Sequence, residues 1–135
     1  MDTEEHDINE RRGTQTREQT IEKSRKNIVS SLKSGSNLVI FMGKLAKNLN
    51  EWFKDAKFWK LDNLFSTTEV LNEKFIKDNV ITPEEDVDYM GNKGFMSNKD
   101  FKLTLLISGN YESLDELFKI LNVDKKYFKV VRILE

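Results

Sequence analysis

The chain has 135 residues, 22 Lys and Arg against 23 Asp and Glu, and no cysteine. That length suits one domain around a single core, the balanced charge leaves no bulk field favouring phosphate backbones or anionic membranes, and the absence of thiols excludes disulfides, thiolate metal sites and cysteine nucleophiles. The longest apolar run falls far short of the roughly 20 residues of a membrane-spanning helix, and the first thirty residues lack the apolar segment of a secretory signal. The expectation is a soluble, intracellular chain, cytoplasmic by default, with no membrane partner.

Residues 1–14 hold one large apolar side chain, Ile8, among charges and small polar groups. Such a segment buries too little surface to offset its ordering entropy, which predicts a disordered tail. Residues 15–35 carry Ile21, Ile28, Val29 and Leu32 as a narrow stripe, with Thr16 and Gln19 spaced as a capping box and Gly35 as a stop. This predicts a helix too weakly apolar to be central, docked at the periphery. Residues 36–135 are then the folded domain.

"NLVIFMGKL", Asn37 to Leu45, admits two readings. Leu38 to Met42 form a buried strand that Gly43 ends, with a helix from Leu45 to Ala56; or residues 37–56 are one amphipathic helix with Leu38, Phe41, Met42, Leu45, Leu49, Trp52, Phe53 and Ala56 on its face. The β-branched pair Val39 and Ile40, with Gly43, favours the strand. Ser66 with Glu69 starts a helix running to Lys77 with Val70, Leu71, Phe75 and Ile76 buried, "TPEE" at 82–85 opens a short helix, and "GNKG" at 91–94 is a turn. "FKLTLLIS", residues 101–108, alternates with Phe101, Leu103, Leu105 and Ile107 on one face, the clearest half-buried strand in the chain. A helix capped by Ser113 with Glu116 and a β-rich run "YFKVVRIL" complete a βαβ pattern. The fold expected is α+β, ferredoxin-like with a βαββαβ plan; an all-α bundle is the alternative, since nearly every boundary carries a helix cap.

Catalysis has little to draw on. His6, the one histidine, falls in the expected tail with no fixed carboxylate beside it. The acidic cluster "EEDVD", 84–88, lacks the spacing and glycine of a calcium loop, and acids in a first helical turn already answer to the helix dipole. No phosphate-cradling loop or nucleophile elbow is present. No enzyme, metal or cofactor is therefore expected. The segment 43–60 differs, because Lys44, Lys47, Lys54, Lys57 and Lys60 interleave with Trp52, Phe53, Phe58 and Trp59. Four large aromatics within eight residues predict a binding or adaptor protein whose partner-protein interface is anchored on Trp52, Phe53, Phe58 and Trp59; self-association stays open. The alternative is RNA or single-stranded DNA, with lysines on phosphates and rings under bases, through Phe41, Lys44, Lys47, Lys54 and Lys57.

"IFMGKL" at 40–45 resembles the first-strand signature of the RNA recognition motif, with Lys44 where asparagine is usual, and the elements after it are similar in order to that family over residues 38–134. The resemblance implies a ferredoxin-like sheet with "FKLTLLIS" as third strand and "YFKVVRIL" as fourth, and base stacking by Phe41 and Phe101. The alternation of 101–108 instead groups Phe101 with the core-facing Leu103 and Leu105. The C-terminal portion, through "LDELFKILNVDKKYFKVVRIL", is also similar to small-subunit ribosomal proteins of ferredoxin-like fold, with "KFWKL" as first strand. Leu117, Leu121, Val123, Phe128 and Val131 fit helix-turn-helix spacing, with Asn122 at the turn, although Phe118 stands where alanine is needed.

Overall fold

The computed structural model describes residues 1–59, 73–88 and 90–133. Val39 and Ile40 lie in a five-residue strand, β1 (Asn37–Phe41), whose Leu38 and Ile40 face the core and whose alternate residues face out. Its end is set by Gly43, at φ +68°, a left-handed position where a Cβ would fall on the Glu4 carboxyl. The strand reading of "NLVIFMGKL" therefore holds, and the continuous helix over 37–56 and the all-α bundle do not. β1 pairs in parallel with β2 (Lys102–Leu106), Leu38 opposite Leu103 and Ile40 opposite Leu105. In β2 the expected phase is kept: Leu103 and Leu105 are half-buried, while Lys102 and Leu106 are exposed.

Helices flank this two-stranded sheet. α1 (Thr3–Arg11) occupies the segment whose composition predicted disorder. Asp2 caps it by accepting the Glu5 N–H at 3.0 Å, and Glu4 and Glu5 in the first turn suit the helix dipole. The difference from expectation comes from contacts distant in sequence: the Met1 nitrogen donates to Val39 O at 2.8 Å, Phe41 N–H donates to Met1 O at 2.8 Å, and the buried Thr3 hydroxyl donates to Phe41 O at 3.1 Å. Met1 and Asp2 thus take the edge of β1 that β2 leaves open, with Asp2 bridging Phe41.

α2 (Arg17–Ser34) has the predicted ends. Thr16 and Gln19 form the capping box, and Gly35 closes the helix in the left-handed conformation at φ 74°. Its position corrects the expectation of a peripheral helix: Ile28, Val29 and Leu32 are buried in the main core beside Leu38, Ile40 and Met42. A stripe of three large side chains suffices because the opposite flank is anchored by polar contacts. Arg25, for example, donates to Val80 O at 2.8 Å and to Glu85 at 2.5 Å while holding Glu22.

The helix expected from Leu45 to Ala56 shrinks to one turn, α3 (Leu49–Trp52), because Asn48 caps it by accepting the Glu51 N–H at 3.1 Å and tight turns at Ala56 and Trp59 follow. α4 (Glu73–Asn79) buries Phe75 and Ile76; the Ser66 and Glu69 start expected for it, with Val70 and Leu71, lies outside the described residues. Pro83–Glu85 is a 3-10 turn in which Glu85 accepts the Thr82 N–H at 2.8 Å. The "GNKG" turn wraps Asp88, which accepts from the Met90 and Asn92 N–H groups. α5 (Leu114–Leu121) starts at Ser113, which caps Glu116, and stops at left-handed Asn122, φ 55°.

The fold is mixed helix and strand around a small parallel sheet among the described residues. The closing run departs from expectation. Residues 128–133 form no strand, Val131 and Ile133 are more than 80% exposed, and the place beside β1 is already filled by Met1. No second helix of a helix-turn-helix follows Asn122 either, since Lys125–Tyr127 is a single 3-10 turn. No described helix is long and apolar enough to cross a membrane.

Ile40, fully buried in β1, and Leu106, 46% exposed in β2, test this arrangement. Denaturant unfolding should show Ile40→Ala losing about 2–5 kcal/mol and Leu106→Ala under about 1 kcal/mol. Equal losses would contradict the assigned faces.

Candidate functional site

The aromatic segment divides in the folded chain. Phe53 and Phe58 are each 1% exposed and Trp59 is buried as well. Phe53 stacks on Trp59 with ring centroids 4.1 Å apart and meets Phe58 edge-on at 5.8 Å, while the Trp59 indole donates to Asn50 Oδ1 at 3.2 Å. These three expected anchors are core side chains. The one-turn α3 and the turns after it fold them back against Leu49 and Ala56 instead of displaying them, so their stacking supports the fold.

Trp52 alone of the four keeps an exposed part. Its ring stands edge-on to Phe53 at 4.6 Å and carries the Arg17 guanidinium 4.6 Å from the ring centroid, a cation–π contact. Its indole N–H donates to Asp7 Oδ1 at 3.1 Å, and the Lys47 ammonium pairs with Asp7 Oδ2. Glu10, one turn further along α1, accepts from Arg17 at 3.3 Å. Beside these groups lies an open groove of about 500 Å³ lined by Arg17, Lys47, Asn48, Glu51, Trp52 and Lys54. Three cations thus surround one half-buried indole, with a single acid, Glu51, on the rim.

Of the lysines picked from the sequence, Lys47 and Lys54 line the groove, and Lys44, Lys54 and Lys57 are exposed without an ion pair among the described residues. Lys44 and the 75% exposed Leu45 sit on a loop fixed by the segment that follows β2: Ser108 N–H donates to Gly43 O at 2.8 Å, and Ala46 N–H donates to the Tyr111 hydroxyl at 2.7 Å. Phe41 is half-buried in β1 and does not line the groove, and Phe101 is buried. Compared with protein-family models, with curated proteins and with solved structures, the chain matches none.

Sequence reasoning missed Arg17 and Asp7, which reach Trp52 from more than thirty residues away, and Glu10, which pairs with Arg17. Arg17 stands at the first helical position of α2 because Thr16 is the cap, so its place on the helix, though not its target, was available from the capping box.

Beneath the groove a polar network joins α1 to α2. Gln15, 6% exposed, accepts from Lys23 Nζ at 2.6 Å, which turns its amide nitrogen toward the Thr20 hydroxyl at 2.6 Å and His6 Nδ1 at 2.8 Å. Thr20 in turn donates to Glu10. With the Gln15 amide so oriented, His6 Nδ1 must accept and the ring must be neutral. Burial, and after it the charge of Lys23, lower the His6 pKa below 6.5, against the opposing pull of Glu5 and Glu10. For Asp7, burial acts to raise the pKa, but hydrogen bonds from Lys47 and Trp52 and the Lys47 charge outweigh it and leave the carboxyl below its ordinary 3.8. Within the 84–88 cluster, Asp86 accepts Phe95 N–H at 2.8 Å and Glu85 holds Arg25 of α2. Among the described residues, no group of three side chains could hold a metal.

Both shifts make α1 docking sensitive to acid. A histidine held neutral contributes stability above its unfolded pKa near 6.5, lost as pH falls through the lower folded value; a carboxyl with a depressed pKa contributes above 3.8, lost as pH falls through its own lower value. Amide protection of α1, taken relative to the intrinsic exchange rate at each pH, should therefore fall in two steps on acidification, and His6→Gln should remove the first step while leaving the second. A flat profile from neutral pH to the carboxylate range would contradict the assigned His6 bond.

Proposed function

We propose that this chain is a small non-enzymatic binding protein whose contact face for a partner protein is the groove at Trp52. The observation that carries the reading is one half-exposed tryptophan ringed by Arg17, Lys47 and Lys54 and set on a buried aromatic core. Tryptophan and arginine on a rigid base are the residue types that dominate binding energy at protein interfaces. Lys44, Leu45 and Lys57, exposed nearby in sequence, would supply a polar and apolar rim.

A second reading, binding of RNA or single-stranded DNA, is favoured by the same three cations and by the exposed Lys44 and Lys57. The ferredoxin-like plan that accompanies it loses support at the sheet, because that plan sets its first and third strands antiparallel whereas the strands matched to them, β1 and β2, pair in parallel. The reading also has less support in its stacking residues, because Phe101 is buried and Arg17 already covers the Trp52 ring.

Capture from an extract of the source cells, with and without nuclease, separates the readings when wild type is compared with a Trp52→Ala, Lys54→Glu variant of unchanged melting temperature. Protein partners that survive nuclease and are lost by the variant are the expected result. Nuclease-sensitive capture, together with labelled oligonucleotide binding that weakens steeply with salt, would replace it with the second reading.

A further inference from the structure

α1 is held to the rest of the protein in an unusual way for a helix in a small domain. Thr3 is its single buried residue, and Ile8, its one large apolar side chain, is 40% exposed. What docks it is polar: the Met1 and Thr3 bonds to β1, the His6 contact with Gln15, and above all two carboxylates on one face, Asp7 on Lys47 and the Trp52 indole N–H, and Glu10 on Arg17. Residues three apart share a helix face, so Asp7 and Glu10 meet the cations on either side of Trp52 together.

We infer that α1 is an internal occupant of the contact face, and that the ligand replacing it is an acidic helical segment of a partner protein with carboxylates one helical turn apart. The proposal rests on the groove at Trp52 being the contact face. The chain displays the ligand chemistry in its own contacts: an acidic helix meets an indole N–H, a guanidinium and an ammonium. Displacement is inexpensive, because a nine-residue helix is unstable alone and segments with few buried apolar contacts open at free energies well below global unfolding. Once α1 leaves, Lys47, Arg17 and the Trp52 indole lose their acceptors and join Lys54, already exposed at the groove. Glu51 on the groove wall repels a continuous polyanion more than discrete carboxylates, which favours an acidic peptide over a nucleic-acid backbone.

The test uses the full chain and, as probe, a capped peptide of residues 2–13 of this same sequence, with a control peptide in which Asp7 and Glu10 are Asn and Gln. In the chain, Asp7→Asn with Glu10→Gln removes the charges but keeps the side-chain shapes. The variant chain should bind the acidic peptide at least about tenfold more tightly than wild type, with no binding of the control peptide by either chain. Lys47→Ala added to the variant should remove the gain. Equal affinity of the two chains would overturn α1 as an occupant while leaving the groove as a contact face. Absence of peptide binding, with partner capture still lost on Trp52→Ala, would overturn the acidic ligand alone. Should the double variant fail to fold, amide exchange on wild type decides: α1 amides must lose protection as the peptide saturates, and protection retained in the bound state would overturn the proposal.

Discussion

Strand β1 is hydrogen-bonded on both edges, and the rest of the structure follows from that. On one side Leu38 and Ile40 pair with β2; on the other Val39 and Phe41 bond to Met1. A two-stranded sheet is marginal by itself, and this one is secured by the core side chains of α2 below it and by an N-terminal segment that closes its remaining edge. Open edges invite pairing with other chains; here the first two residues cover that edge of β1. The same contact fixes the start of α1 and so decides which of its residues arrive over Trp52.

Two kinds of interaction divide the labour. Ile28, Leu32, Ile40, Met42, Leu49 and Phe53, each no more than 1% exposed, give the domain its cohesion through apolar burial. α1 contributes almost none of that and is held by ion pairs and hydrogen bonds, whose net worth is small because water competes for the same groups. Little apolar burial would be lost if α1 left the groove while Met1 and Asp2 stayed on the edge of β1. That helix carries the carboxylates satisfying the cations of the only tryptophan left half-exposed, so the least secure helix and the best candidate site are in direct contact.

What could be read from the sequence was what depends on near neighbours. The capping box at Thr16 and Gln19, the left-handed stop at Gly35, the strand ended by Gly43, the phase of 101–108 and the cap at Ser113 all rest on interactions within a few residues, and the structure carries each of them. The N-terminal segment was misjudged because its order comes from β1, some forty residues on, and composition carries no trace of a hydrogen bond from Met1 to Val39. The aromatic segment was misjudged in a related way. Periodicity marks Trp52, Phe53, Phe58 and Trp59 as large and apolar but does not say which of them a one-turn helix turns inward. For the candidate site, Trp52, Lys47 and Lys54 were legible; Arg17, Asp7 and Glu10 come from elements that meet Trp52 only in three dimensions.

Hydrogen exchange at two adjacent amides addresses the central claim, that the N-terminal segment is docked along β1. Phe41 N–H donates to Met1 O and Met42 N–H donates to Leu106 O at 3.0 Å, so the pair reports the two edges of one strand separately. The account predicts measurable protection at both, with Phe41 less protected than Met42 and exchanging together with the amides of α1. Protection at Met42 with Phe41 exchanging at the rate of an unstructured peptide would contradict it, returning residues 1–14 to the disordered tail that their composition suggests and leaving Lys47 and Arg17 without the acids assigned to them.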